Sequence, residues 1–588
     1  MTRVAVFGLI IFGLEPALGR AVAEDSAKLP VVELPTYTVT ESRDLPPREK
    51  WSYARIDGFE VLSNASVGST KKLVDSFQRY SLALGWMWPG IQRPSAVPAA
   101  LIICGRGGKF DAFRPKGEAS PDRAMASLTL RGPDVSAIVI DYEAKVINLS
   151  TPEGTAAAAA TAAAADDGAS AIGGDPGFAV DAYQQLYREY LRFLLDATNP
   201  RPAAWLQEGL AQIFMAMEIT DNSVMVGKIE DPNTISALQG GMNAAGIAGS
   251  APQEDRDFNA VLAKRALLPM GELFAVTHES EIARNPLGST WAKQCYAFVH
   301  WGLYGDGGKH QRAFLTFVQR LVREPLTEAM FKECFQKNYR DMELTIRGYV
   351  DFTAHKIAGL RTKNGEKLPE PTPLQLRDAT DAEVGRITGD TLRLAGYESA
   401  AHLALVAPYI RGERDPQLLA ALGLQERFSG QTARARKFLE AASQGKAVRP
   451  RAYLELARLR FADAASHPAQ GKQFSAEQTA DVLTPLFVAR NQPPPLPEVY
   501  EAIGEAWAHS AITPAAGHLA ALDEGVRLFP RDAALVYLDA SLKAKSGLTS
   551  DAASLIDLGR RIAPDGAIRD KFEALKASLP APAAPPTK

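Results

Sequence analysis

The sequence predicts an α+β domain followed by an all-α region of helical repeats. Three observations carry that expectation. Between Trp51 and Leu149, short alternating or β-branched apolar runs are mixed with helical spacing. From Phe178 to about Ile357 helix-sized segments dominate. Beyond Asp378, segments of helical length alternate with short Gly, Pro or Ser breaks as far as Leu579. At 588 residues the chain exceeds one ordinary domain, and roughly 100 to 200 residues per domain gives three or four units.

The N-terminus has the order of an export signal. Arg3 supplies a positive start, Val4 to Leu14 is apolar, and Ala21-Val22-Ala23 offers a small-residue cleavage site, so residues 1–23 are expected to be removed. The apolar run is too short to span a bilayer, and no later stretch approaches the roughly 20 apolar residues a membrane helix needs. The expectation is an exported protein, periplasmic or extracellular, with no integral membrane segment after cleavage. Residues 24–50, rich in Pro, Thr and charge, read as an extended leader.

In the domain expected over 51–357, Phe59-Glu60-Val61-Leu62 alternates like a strand and Thr70 to Leu84 has helical spacing. Ala99 to Cys104 and Val139 to Leu149 are further strand candidates. Residues 155–177, mostly Ala with Gly, Asp and Ser, lack the large apolar surface of a core and read as an insertion. Helices are expected over 181–197, 202–217, 291–304 and 311–322, with a hairpin strand at Ser223 to Gly227 and a glycine-rich loop at Gly240 to Ser250. Residues 358–377, polar and closing on Pro369, Pro371 and Pro373, read as a linker, and 580–588 as a disordered Pro/Ala tail.

Within 378–579, Phe529-Pro530 and Ala563-Pro564 each close a helix with prolines 34 residues apart, and Gly547 marks the turn between the enclosed helices. This resembles a tetratricopeptide repeat. A related unit runs from Asp415 through Gly430 to Pro450, with Ala433 and Phe438 as packing residues of its second helix. Such an array presents a concave face that could hold a protein or peptide partner.

Charge excludes other partners. A net charge of -3 with 23% charged residues gives no electrostatic case for nucleic acid or an anionic membrane. The three cysteines, Cys104, Cys295 and Cys334, allow at most one intramolecular bridge and lack C-x-x-C spacing. Each lies in an apolar neighbourhood, as a buried cysteine does.

The chemistry-bearing segment is Tyr187-Arg188-Glu189-Tyr190-Leu191-Arg192-Phe193-Leu194-Leu195, followed after a short turn by Trp205-Leu206-Gln207-Glu208-Gly209-Leu210-Ala211. It resembles the peptidase MA-like gluzincins, zincin-fold metallopeptidases, particularly exported bacterial members with helical repeats behind the peptidase-like domain. In that family the first helix reads H-E-Y-x-H-x-L-L and the second W-L-x-E-G-L-A. The likeness extends more weakly to Leu267 to Phe274 and to Ala297 to His300. It implies a zincin-like domain over 51–357. Histidines at i and i+4 share one helical face, the intervening Glu activates metal-bound water, and a Glu on the later helix is the third ligand.

Here arginines stand at both histidine positions, so the degenerate site comprises Arg188, Glu189, Arg192 and Glu208. Gln212 takes the position where the family carries an acidic orienting residue. A guanidinium stays protonated and offers no lone pair, so zinc, the cofactor the resemblance implies, lacks its ligands. His278, the first of eight histidines, and His300 and His310 have no H-x-x-x-H spacing. No metal ligand and no catalytic residue is assigned, and no cofactor is expected. Two arginines could balance the two glutamates that zinc otherwise would, through guanidinium–carboxylate bonds between the helices.

Other signals point to structure. Ser289 lacks a G-x-S-x-G elbow, Gly105-Arg106-Gly107-Gly108 lacks G-K-[ST], and His300 sits on an apolar helix as a packed, hydrogen-bonded residue. The expectation is an inactive metallopeptidase-like protein that binds a peptide or protein through its cleft and repeats. The alternatives are an active peptidase, zinc-dependent or metal-independent, using other residues, and a purely structural envelope scaffold.

Overall fold

The structure, a computed structural model, describes residues 32–37, 45–91, 97–105, 109–117, 126–142, 182–227 apart from 199, and most of 258–579. The expected signal peptide, the insertion over 155–177, the Gly240 to Ser250 loop, most of the Gly105 to Gly108 turn and the tail over 580–588 lie outside the described residues.

The first half is built on a six-stranded mixed sheet. Strands β1 (Ser52–Ile56), β2 (Phe59–Ser63), β3 (Ala99–Cys104), β4 (Ser127–Arg131), β5 (Ser136–Asp141) and β9 (Arg377–Asp378) lie in the order β4-β5-β3-β2-β1-β9. β2, β3 and β5 are parallel neighbours, and the outer pairings are antiparallel. The parallel centre is apolar on both faces, as a sheet covered on both sides requires. Val61, Leu101, Ile103, Ile138 and Ile140 join the core beneath helix α1 (Val67–Met87) and α2 (Ala182–Asp196). Leu62, Ile102, Cys104 and Val139 face the other way.

Helices α3 (Ala204–Met215), α4 (Met270–Ala275), α5 (Glu281–Arg284), α6 (Thr290–Tyr304), α7 (Gln311–Leu321), α8 (Glu328–Phe335) and α9 (Tyr339–Val350) complete this half. A small antiparallel sheet joins β6 (Glu218–Ile219), β7 (Ser223–Val226) and β8 (Ala358–Arg361) in the order β6-β7-β8.

The second half stacks helical hairpins. α10 (Asp381–Leu394) pairs with α11 (Glu398–Ile410), α12 (Pro416–Phe428) with α13 (Thr432–Gln444), and α14 (Pro450–Ser466) with α15 (Ala476–Arg490). α16 (Pro497–Ala508), α17 (Ala516–Leu528), α18 (Ala533–Lys545), α19 (Thr549–Ile562) and α20 (Ala567–Ser578) continue the array. The first helices α10, α12, α14, α16, α18 and α20 also pack successively on one another, forming the inner ladder of a repeat stack. Gly430 and Gly547 turn their hairpins at φ 77° and 80°, a region that favours glycine. No helix among the described residues is long and apolar enough to cross a membrane.

Three expectations need correction. Residues 358–377 are not a free linker. β8 pairs with β7, the Leu368 N–H donates to the Asp221 carbonyl at 2.6 Å, and β9 pairs with β1. Next, the boundary near Asp378 does not separate two cores, since Ile387 of α10 and Ala395 after it cover the second face of the large sheet. The sheet has apolar side chains on both faces, so a helix from the following region closes the face that α1 and α2 leave open. Finally, the small packing residue of α13 is Ala435, fully buried, whereas Ala433 is exposed. Ala435 lies three residues before Phe438 and shares its face. Ala433 lies five before it and points away.

Candidate functional site

The two-helix segment folds as its apolar spacing requires: α2 and α3 pack together, with α3 also lying along α6. Gly209 makes that second contact possible. A Cβ there would come within 2.4 Å of Val299 Cγ2 and 2.6 Å of the Cys295 carbonyl oxygen. Trp205, four residues earlier, is buried among Phe274, Phe298, Phe314 and Phe317.

This packing buries four of the five residues that the sequence singled out, Arg192 being the exception. Arg188, Glu189, Glu208 and Gln212 are each 2–3% exposed. Arg188 Nη2 donates to Glu208 Oε1 at 2.8 Å across the two helices, and Gln212 Nε2 donates to the same oxygen at 2.8 Å. Burial alone would raise the Glu208 pKa, but the charges of Arg188 and Arg192 and the bonds from Gln212 and Arg188 outweigh it. They hold the carboxyl below its ordinary value of 4.5.

Glu189 is turned toward the sheet. Thr129 Oγ1 donates to its Oε2 at 2.7 Å and Ser127 Oγ to its Oε1 at 3.2 Å, both from edge strand β4. Of the expected cross-helix guanidinium–carboxylate bonds, the one from Arg188 to Glu208 forms, while Glu189 is held by the sheet. Arg192, less buried, reaches Glu189 of its own helix at 3.6 Å and donates to the Ala283 carbonyl at 2.9 Å. Its position one turn beyond Arg188 carries it past the glutamate of α3 toward α5.

Sequence reasoning missed a third cation. Lys293 Nζ, fully buried on α6, donates to Gln212 Oε1 at 3.0 Å, so the Gln212 amide relays between an ammonium and the Glu208 carboxylate. A Lys-Gln pair inside the apolar run Trp291-Ala292-Lys293-Gln294-Cys295-Tyr296-Ala297 was the available signal, since such residues are buried only with partners.

The residues present do not fit a zinc ion. Arg188 and Arg192, at the positions where the resemblance expects histidines, are guanidinium groups without a lone pair, and Glu208 is engaged by Arg188. Among the described residues no group of three or more His, Cys, Asp or Glu side chains is placed to hold a metal. Cavities of about 550 Å³ beside Trp86 and Arg361 and about 670 Å³ beside Tyr190 and Pro450 are lined by none of the five residues.

The other candidates are structural. His300 is buried, with Nδ1 2.7 Å from the Tyr349 hydroxyl and Nε2 2.7 Å from the Gly227 carbonyl. Ser289 caps α6 by accepting from the Ala292 N–H. His278 Nε2 lies 2.8 Å from the Pro202 carbonyl and His310 Nε2 2.9 Å from Asp306. Cys104, Cys295 and Cys334 are free thiols, and burial pushes the Cys104 pKa up to about 12.

No known family profile and no curated protein matches the chain. Among solved structures, the chain is similar to TTC0263, a thermophilic TPR protein of Thermus thermophilus. The identity is 16%, over 33% of this chain and 99% of that one, with a TM-score of 0.24. It is also similar to Pseudomonas aeruginosa pilF, at 13% identity over 34% and 89%, TM-score 0.24. A chain of the APC/C hetero-tetramer Cut9-Hcn1 matches at 12% identity over 67% and 72%, TM-score 0.25.

Proposed function

We propose that the chain is an exported binding protein: a zincin-like domain that has given up metal-dependent hydrolysis, followed by tetratricopeptide-like repeats that hold a protein or peptide partner. The observation that carries this reading is the buried Arg188–Glu208 ion pair at 2.8 Å. By the family's pattern, a zinc-binding histidine and the third ligand would converge there. With both positions committed to each other and no lone pair from Arg188 or Arg192, Glu189 has no metal-bound water to activate. Export is supported by the succession in the sequence of Arg3, apolar Val4 to Leu14 and Ala21-Val22-Ala23. Because the degenerate site is buried, partner binding falls to the repeat region, whose stacked hairpins offer an extended surface.

Cross-linking tests this. The full mature chain is incubated with the exported fraction of its source cells, and cross-linked peptides are mapped by mass spectrometry. The expected outcome is a reproducible partner with cross-links between residues 398 and 579. A partner cross-linked only to residues 51–227, or release of cleaved peptides by the wild-type chain, contradicts the reading.

A further inference from the structure

The leader is not idle. Its described segment, Val32 to Tyr37, lies in the valley between α11 and α13, the second helices of two adjacent hairpins. Those helices stand apart there while their first helices α10 and α12 pack directly. Pro35 is buried, Leu34 and Tyr37 pack against the core of these hairpins, and Glu33 and Thr36 face solvent.

The contacts are those of a bound peptide. The Tyr37 hydroxyl donates to Glu426 Oε1 at 2.5 Å, and the Tyr409 hydroxyl donates to the Pro35 carbonyl at 2.6 Å. The Tyr37 ring stacks on Phe438 and meets Tyr409 and His402 edge-on. The Arg434 guanidinium lies over it, 5.4 Å from its centre. Glu426 itself is 1% exposed and is held by His402 at 3.0 Å and Arg434 at 2.9 Å. A buried carboxylate with a fixed orientation accepts a hydrogen bond and has nothing to donate, so the valley selects a hydroxyl donor at the tip of an aromatic ring.

We propose that the valley between α11 and α13 is a recognition site for an extended Leu-Pro-x-Tyr segment of a partner protein, and that the chain's own leader occupies it in cis. This deepens the binding reading above by naming the ligand class of one surface of the repeats. The tyrosine must be unmodified, because a phosphate would set two negative charges against Glu426. Only seven residues separate Tyr37 from Leu45, where the chain is again anchored. As a segment of the same chain, the leader occupies the valley intramolecularly, and a partner segment must outcompete it.

The test uses the full chain and a labelled peptide of sequence 31–40, followed by fluorescence anisotropy. The double variant Leu34→Ala/Tyr37→Ala empties the valley and is expected to bind the peptide saturably, with a rise in its melting temperature. Wild type is expected to bind at least about tenfold more weakly. Peptides carrying phenylalanine or phosphotyrosine in place of the tyrosine are expected to lose about ten- to a hundredfold. Tyr37→Phe, which keeps the ring packing, serves should the double variant not fold, with an affinity between the two. Equal affinity for wild type and variants, no binding to a folded variant, or indifference to the hydroxyl overturns the proposal. Because the titration needs only this chain and its peptide, it can fail while a partner is still captured elsewhere on the repeats, and succeed where none is captured.

Discussion

Arg188 and Glu208 form a buried ion pair across two helices, in which each charge offsets the cost of burying the other. Removing Arg188 leaves the Glu208 carboxylate buried with its main compensation gone, so Arg188→Ala is expected to cost about 3–5 kcal/mol. Replacing both partners by apolar residues of similar volume, as Arg188→Met with Glu208→Leu, is expected to cost less than the single change. Urea denaturation of the two single variants and the double variant gives the coupling directly. The pair also sets a pH dependence. Glu208's folded-state pKa lies below its ordinary 4.5, so the pair's contribution is fully present above that pH and is lost as pH falls through the folded value. Wild type is expected to lose melting temperature as pH falls below 4.5, the ordinary value, and the apolar double variant to show a shallower loss. An identical acid profile in both would place the acid sensitivity elsewhere.

At the scale of elements, the local signals were strong wherever a segment has its own period. The helices expected over 181–197 and 202–217 appear as Ala182–Asp196 and Ala204–Met215, and the strand at Ala99 to Cys104 has those bounds. The edge strand Ser127–Arg131 does alternate polar and apolar residues, a period-2 signal too short to stand out, with Leu128 and Leu130 facing the core and Ser127 and Thr129 holding Glu189. Residues 358–377 were misread as a linker for a similar reason, since two short polar strands there take their pairing from distant partners. The pairing of Arg188 with a glutamate on the next helix was legible from the motif. The burial of Lys293 had a signal in its apolar run, but its partner Gln212 and the leader's seat on the repeats depend on contacts far apart in sequence. Gly209 is the element-scale test of the α3–α6 approach. Gly209→Ala is expected to destabilise by about 1–3 kcal/mol through overpacking. Gly348→Ala on the exposed face of helix α9, where a Cβ meets nothing within 4 Å, should be neutral or stabilising by up to about 1 kcal/mol. Thermal denaturation of both variants checks the contrast.

Across the whole molecule, the α/β domain and the repeats share one interface rather than a linker. Arg449, fully buried on the repeat side, donates from Nε to Asp134 at 2.8 Å and from Nη1 and Nη2 to Asp390 at 3.0 and 2.9 Å. Arg386 of α10 donates to Glu60 of β2 at 2.7 Å. Both arginines tie the first hairpins of the array to the sheet, so the two halves are expected to unfold in one calorimetric transition. Arg449→Met removes the closest cation between Asp134 and Asp390 and leaves them Arg393, at 3.7 and 3.4 Å. It is expected to cost about 3–5 kcal/mol and to split the transition in two, whereas a single unshifted transition would show that the interface does not couple the halves. In the function proposed above, the Arg188–Glu208 ion pair stands where the resemblance would put a metal. The most direct measurement is zinc per mole of purified chain by mass spectrometry, with wild type beside Arg188→His/Arg192→His, both exposed to excess zinc and then desalted. The account predicts metal-free wild type and a double variant carrying stoichiometric zinc, whereas stoichiometric zinc in the wild type that disappears in Glu208→Ala would contradict it.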